Sequence, residues 1–327
     1  MTRFLAKEER TASELWRLVK PRPRGTRRQI ESPAGVLIVD DSIAENPYTD
    51  ENDIICWHYD HAQDRTVKGI NFMTVLYHHQ ATSLPVGFTL IAKTEQYIDQ
   101  KTGQEKRRSP VGKNEYYRQM VQQAVINQLR FRYVLNDVWF ASAENMMFVK
   151  RTLLKDFVMP IKSNRKVARS PQDKQQGRYV KLETLPIEVN TTQTVYLEAV
   201  DCPLLLIKQV FTNEDGSTGI LYLVTSDLSL TYDAVTTIYR KRWNVEPYHK
   251  SLKQKAFLEK SPGALWAQTV ISQTNHFFAA LCAYIKLELL KGETKSNHFA
   301  LKAKLYLKAI QSAFDTLRSL QPFQCPA

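Results

Sequence analysis

The sequence predicts an α/β fold with a β-rich insertion and a helical C-terminal region. Three observations carry that prediction. Apolar, β-branched runs first alternate with amphipathic helical stretches. Strand-like pieces then follow one another with turn signals between them. Helical periodicity returns at Ala234 and holds into the C-terminal region. At 327 residues the chain is long enough for one large domain or two smaller ones.

Residues 1–32 are strongly basic, and "KPRPRGTRR" at Lys20–Arg28 carries helix-breaking Pro and Gly, so an extended basic arm is expected. "GVLIVDDSI" at Gly35–Ile43 reads as a buried strand ending in two carboxylates. "INFMTVLYHH" from Ile70 and "PVGFTLIAK" from Pro85 read as a hairpin beside it. "KTGQEKRRSPVGK" at Lys101–Lys113 is a polar, basic loop, either solvated or touching nucleic acid. A helix opens at Asn114, with Tyr117, Met120, Val121, Ala124, Val125 and Leu129 on one face. "RYVLNDVWF" from Arg132 is a strand with Asp137 near its end. Ser142 caps the next helix, and "FVMPIK" is a short strand. Residues 33–162 thus form the first part of the core. Residues 163–227 form the β-rich insertion, carried by "RYVKLETL", "TVYLEAV", "PLLLIKQVFT" and "GILYLVTSD". Residues 228–327 complete the core and add C-terminal helices.

Composition narrows the class of partner. Lys and Arg number 45 against 33 Asp and Glu, a net charge of +12, which favours a polyanion, nucleic acid ahead of an anionic membrane. A hydrophobic share of 43% excludes a disordered chain. No unit of solenoid length recurs. Met1–Lys20 has no apolar run of the secretory kind, and the most apolar stretch, from Ala264, is interrupted by Gln268, Gln273, Asn275 and His276. A buried helix, rather than a membrane span, is expected there. Cys56, Cys202, Cys282 and Cys325 are scattered, with no C-x2-C pair, which points to reduced thiols in a cytoplasmic protein.

The carboxylates are the candidate chemistry. Asp40 and Asp41 stand where an apolar strand ends, and Asp137 stands in the same setting on a second strand. Charge is costly in such a place unless it is paired or holds a metal, and functional groups of open α/β sheets collect beyond the strands' carboxyl ends. The ordinary alternative is a turn residue or helix cap. A third acid, Glu246, lies in "YRKRWNVEPYHKSLKQ", which carries Tyr239, Arg242, Glu246 and Lys253 in the frame Y-x2-R-x3-E-x6-K. On a continuous helix these four fall within an arc of about 60°. Glu246 is then either an i,i+4 partner of Arg242 or a metal ligand flanked by phosphate-binding groups. Pro247 interrupts that helix unless a new one starts near Glu246. Oxygen-only ligands suit Mg²⁺, and two such ions about 4 Å apart activate a water or 3′-hydroxyl and stabilise the leaving oxygen of a phosphodiester.

These residues resemble a branch of bacterial insertion-sequence DDE transposases defined by the Y-x2-R-x3-E-x6-K signature. "LIVDDS" resembles that family's first-Asp strand and "VLNDVWFAS" its second. The resemblance implies an RNase H-like core, a mixed sheet flanked by helices, with a β-strand insertion between the second Asp and the Glu. It implies cleavage and strand transfer of DNA at element ends with two Mg²⁺ ions, or Mn²⁺ in their place. The partners it implies are double-stranded DNA, at element ends and target, and a second copy in a homodimer on DNA, with no membrane. Asp40, Asp137 and Glu246 become the catalytic metal ligands, with Asp41 as the alternative to Asp40. Tyr239, Arg242 and Lys253 become DNA contacts. Two rivals stay open: an RNase H-like nuclease without strand transfer, and an inactive DNA-binding remnant. The β-rich block lacks the Trp that some relatives use to hold a flipped base.

Other features read as structural. His58, Asp60 and His61 of "WHYDH" are poorly spaced for one metal site and read as loop or core, as do His78, His79 and His249. Trp139 and Trp243 read as core residues.

Overall fold

The computed structural model describes residues 8–20, 31–60, 63–212, 215–254 and 269–319. The chain opens with helix α1 (Ala12–Val19), followed by strands β1 (Val36–Glu45), β2 (Ile55–Asp60), β3 (Arg65–His79), β4 (Thr82–Leu90), β5 (Glu95–Ile98) and β6 (Glu105–Arg108). Helix α2 (Lys113–Ile126), strand β7 (Tyr133–Asn136), helix α3 (Ala143–Met147) and strand β8 (Asp156–Ile161) come next. The strand-rich block holds β9 (Lys166–Ala168), the short helix α4 (Pro171–Gln175), β10 (Val180–Lys181), β11 (Gln193–Leu197), β12 (Leu204–Thr212) and β13 (Thr218–Thr225). Four helices end the described chain: α5 (Tyr232–Arg240), α6 (Val245–Gln254), α7 (Val270–Thr294) and α8 (His298–Ser319).

β1 is the axis of the sheet. It pairs antiparallel with β3 on one edge and parallel with β7 on the other, and β7 pairs parallel with β8. β3 in turn pairs antiparallel with β4 and, further along, with β2. Helices cover both faces, which is why Val36, Leu37, Ile38 and Val39 are all fully buried and the run is continuously apolar. This is the mixed, helix-flanked sheet of an RNase H-like fold. Side chains alternate across it. Leu37 and Val39 share a core with Tyr117 and Val121 of α2, whereas Val36 and Ile38 share one with Tyr239, Tyr248 and Phe277 of α5, α6 and α7. The strand-rich block continues this sheet: β13 pairs with β8, β12 with β13 and β11 with β12, all antiparallel.

Several elements differ from the sequence reading. Within the expected N-terminal arm, Ala12–Val19 forms α1, opened by a Thr11–Glu14 capping box and docked through buried Leu15 and Trp16. Residues 21–30, which hold most of "KPRPRGTRR", lie outside the described residues. The expected loop at Lys101–Lys113 contains strand β6. It pairs with β5, and Arg107 and Arg108 form ion pairs with Asp53 and Glu95. Both strands are charged and mostly exposed, so no apolar alternation marks them. "WHYD" lies on β2, with His58 turned inward. Cys56, Cys202 and Cys282 are free thiols, and Cys325 lies outside the described residues. In the apolar stretch, α7 buries Gln273 and Asn275 as well as its apolar side chains. Among the described residues no helix is long and apolar enough to cross a membrane.

One glycine is set by close approach. Gly69 lies between Glu45 of β1 and Cys56 of β2, and a Cβ there would stand 2.2 Å from the carbonyl oxygen of Ala44. Backbone cannot yield as a side chain does, so Gly69→Ala is expected to destabilise by about 2–3 kcal/mol, read as a lowered denaturant midpoint.

Candidate functional site

The register of two parallel strands builds the site. Val39 pairs with Asn136, which sets Asp40 and Asp137 side by side one step beyond the paired residues. Asp137 ends its strand because its carboxylate accepts hydrogen bonds from the backbone N–H groups of Trp139 at 3.0 Å and Phe140 at 3.4 Å, capping a 3₁₀ turn at Val138–Phe140. Asp40 Oδ1 accepts from the Asp41 N–H at 3.0 Å.

Asp40 and Asp41 face opposite sides, as strand alternation requires. Asp40 lies on the α5–α6 face, where its Oδ2 is 3.5 Å from Arg242 Nη1. Asp41 lies on the α2 face, where its Oδ2 accepts from Lys113 Nζ at 2.7 Å and Asn71 Nδ2 at 3.3 Å.

The Y-x2-R-x3-E-x6-K segment is not one helix. α5 ends at Arg240, Lys241–Asn244 form a 3₁₀ turn, and α6 starts at Val245. Pro247 therefore falls in the first turn of α6, where its missing N–H breaks no helical hydrogen bond. Tyr239 is buried, and its hydroxyl donates to the carbonyl of Asn136 at 3.5 Å. Arg242 is buried as well, and its fork spans two acids, with Nη2 lying 3.5 Å from Glu246 Oε1. The Glu246 side chain is 56% exposed, and it meets the other terminal nitrogen of the guanidinium from the one that faces Asp40. Lys253 is half-buried on α6, and its charge helps keep His249 neutral.

Charge is under-compensated in this pocket. Burial, then the neighbouring Asp137 carboxylate, lift the Asp40 pKa from 3.8 to about 7, against the opposing pull of Arg242. Burial and the negative charge of Asp41 also raise Asp137. Two adjacent, partly buried carboxylates that resist joint ionisation form an oxygen donor pair suited to a hard dication, which takes one or two carboxylates and fills its shell with water and phosphate. Among the described residues, no group of three or more His, Cys, Asp or Glu is arranged to hold a metal ion. The structure thus brings Asp40 and Asp137 together and sets Glu246 apart across Arg242.

Beside the pair lies a groove of about 400 Å³, lined by Val138, Phe211, Tyr239, Arg240, Arg242 and Trp243 among others. Trp243 and Trp139 are exposed, contrary to the core position expected for them, and each sits on a 3₁₀ turn, that of Trp139 just beyond the end of β7. The Arg242 guanidinium lies 4.5 Å from the Trp243 ring centroid, a cation–π contact. Phe211, on β12, and Lys113, at the start of α2, escaped the sequence reading. A lone Phe near a strand end and a lone Lys after a basic stretch carry no periodic signal.

The discounted histidines are structural. Burial lowers His58 to about 3, His78 to about 4 and His249 to about 3, so all three are neutral core residues near pH 7. His249 stacks edge-on against Phe72. Asp60 ends β2, and His61 lies outside the described residues.

Comparison with known proteins adds one match. The family model described as DDE superfamily endonuclease matches residues 1–199, a span that includes Asp40 and Asp137 and stops before Glu246. No curated protein matches the chain.

Proposed function

The chain belongs to the DDE superfamily endonuclease family, and from that premise we propose that it is an insertion-sequence DNA transposase of the Y-x2-R-x3-E-x6-K branch. The observation that carries the reading is the partly buried Asp40–Asp137 pair on adjacent parallel strands, faced by Arg242 of that signature.

Asp40 and Asp137 would hold Mg²⁺, with Mn²⁺ able to substitute, and Glu246, which contacts Arg242 rather than the aspartates in the metal-free chain, would join them as the third ligand from α6. Asp40 is preferred to Asp41, because Asp41 is engaged by Lys113 on the opposite face. When bound, two such ions supply the Lewis acidity that activates a water or 3′-hydroxyl and stabilises the leaving oxygen. Arg242 holds Asp40 and Glu246 in register and offers its remaining donors to a phosphate. Tyr239 supports that arrangement from beneath, and Lys253 meets the DNA backbone further along α6. Residues 163–227 act as an insertion whose Phe211 joins Trp243 in the groove wall, a surface on which unpaired bases stack. The protein acts as a homodimer on double-stranded DNA, bridging element ends and target, in the nucleoid of a bacterial cytoplasm.

A strand-transfer assay tests this reading. With Mg²⁺ and pre-cut DNA carrying the element's own ends, the chain is expected to join 3′ ends to a target, and Glu246→Ala is expected to lose that activity. Cleavage without joining would establish the nuclease reading instead. DNA binding without cleavage in any divalent ion would establish the inactive remnant.

A further inference from the structure

A second group of chemistry-bearing side chains lies on another flank of α6. Ser251 stands about 140° around that helix from Glu246. It lines a cavity of about 320 Å³ between α6, α7, the first turn of α8 and the turn from β3 into β4. Two further residues of that cavity complete a set. Ser251 Oγ is 2.8 Å from His298 Nδ1, and His298 Nε2 is 2.8 Å from Glu288 Oε2. The three come from three different helices, α6, α8 and α7.

The surroundings fix the state of each group. Glu288 is only 1% exposed, and its two oxygens have separate tasks. Oε1 accepts from the backbone N–H of Ser83 at 2.7 Å and from Lys291 Nζ at 2.6 Å, which leaves Oε2 to the imidazole. Burial alone would raise the Glu288 pKa, but the contacts with His298, Lys291 and the Ser83 N–H outweigh it and hold the carboxyl below its ordinary range. An edge-on contact with Tyr284, centroids 5.1 Å apart, steadies the His298 ring. With the Nε2 proton turned to Glu288, Nδ1 is left to accept the serine proton. A hydroxyl, a base within reach of its proton and an acid that orients the base make an activated nucleophile.

The cavity supplies the remaining parts. Its wall includes Asn297, His298 and Phe299, the start of α8, and a helix N-terminus offers backbone N–H groups and partial positive charge to a developing oxyanion. Lys250, exposed on α6, lines the same space and adds charge. Pro247, Tyr284 and Phe299 give it apolar surface. Its volume is at the small end of ligand pockets, which suits a short acyl chain.

We propose that Ser251 and His298, positioned by Glu288, form a second catalytic centre that hydrolyses small carboxylic esters. Ser251 Oγ attacks the ester carbonyl carbon as its proton passes to His298 Nδ1. The bond from that carbon to the leaving oxygen breaks, and His298 returns the proton to this oxygen, releasing the alcohol. Water then repeats the sequence on the acyl-serine and releases the acid. Ester and water are the only reactants, and the centre uses no residue of the proposed DNA site.

Covalent labelling of the full chain, in chelator and without DNA, tests it. A fluorophosphonate is expected to place one adduct per chain on Ser251, located by peptide mass mapping, and to abolish hydrolysis of p-nitrophenyl acetate. Ser251→Ala is expected to lose both adduct and hydrolysis with an unchanged circular dichroism spectrum. His298→Gln is expected to slow both by at least about 100-fold. An unlabelled Ser251 in the folded wild-type chain, or hydrolysis that survives Ser251→Ala, would overturn the proposal. Equal labelling of wild type and His298→Gln would overturn it too, since a helix-joining clasp would leave the serine no more reactive than any other. With neither DNA nor metal present, these outcomes are separate from whether the chain cuts or joins DNA.

Discussion

Asp40→Asn is expected to reduce divalent-ion-dependent DNA cleavage by at least about 10³-fold while making the metal-free protein more stable at neutral to alkaline pH. Both effects have one cause. The Asp40 carboxylate is largely withdrawn from water beside Asp137, its side chain 16% exposed, and its folded pKa of about 7 lies above the 3.8 of a free Asp. Between those two values the folded state keeps a proton that the unfolded state has lost. Stability is therefore highest below the unfolded value, falls as pH rises through that window, and stays low above it. Asn keeps the shape and removes the ionisation, so the variant escapes the fall. The difference above pH 7 is on the order of 2–4 kcal/mol. Thermal melts in chelator at pH 5 and pH 8 should lie closer together at the lower value and separate further at the higher one, with the variant melting later. Identical pH dependence in the two proteins, or retained cleavage, would remove Asp40 from the site.

Arg242→Ala carries the second large effect, with the opposite sign. The guanidinium is buried, lies 3.5 Å from both Asp40 and Glu246, and stacks on Trp243. Its removal leaves Asp40 and Asp137 facing each other without their shared cation. A loss of about 3 kcal/mol is expected, because truncating one partner of a buried ion pair strands the other. Arg242→Lys should recover little of it, since a single ammonium cannot span two acids as a fork does. Combining Arg242→Ala with Asp40→Asn should cost less than the sum of the separate changes by roughly 1 kcal/mol or more. Strict additivity in denaturant titrations would mean that Arg242 and Asp40 do not depend on each other.

The elements visible from sequence are those whose burial imposes a period. β1 is buried on both faces and reads as an unbroken apolar run. α2 buries Tyr117, Val121 and Ala124 and reads at helical spacing, and β12 and β13 read as strands flanked by turns. The elements that escaped lack such a stripe. The β5–β6 hairpin is held by backbone pairing and surface ion pairs, and α1 is short and set in a basic stretch. Trp139 and Trp243 were misplaced for the converse reason. Large aromatic side chains favour the interior, but the 3₁₀ turns that carry these two leave their rings half-exposed.

By itself the sequence singled out the candidate acids and where they stand along the chain. Asp40 and Asp137 close apolar strands, Glu246 sits in a basic signature, and the order of elements between them is that of an RNase H-like sheet with strands added before its last helices. Only the tertiary structure decided how these residues meet. The parallel register of β1 and β7 joins the two aspartates, strand alternation sends Asp40 to Arg242 and Asp41 to Lys113, and the 3₁₀ turn before α6 turns Glu246 outward. Spacing along a chain constrains direction within one element, through the periods of helix and strand. The distance between two elements is set by the packing and hydrogen bonding that bring them together, and no period within either one encodes it.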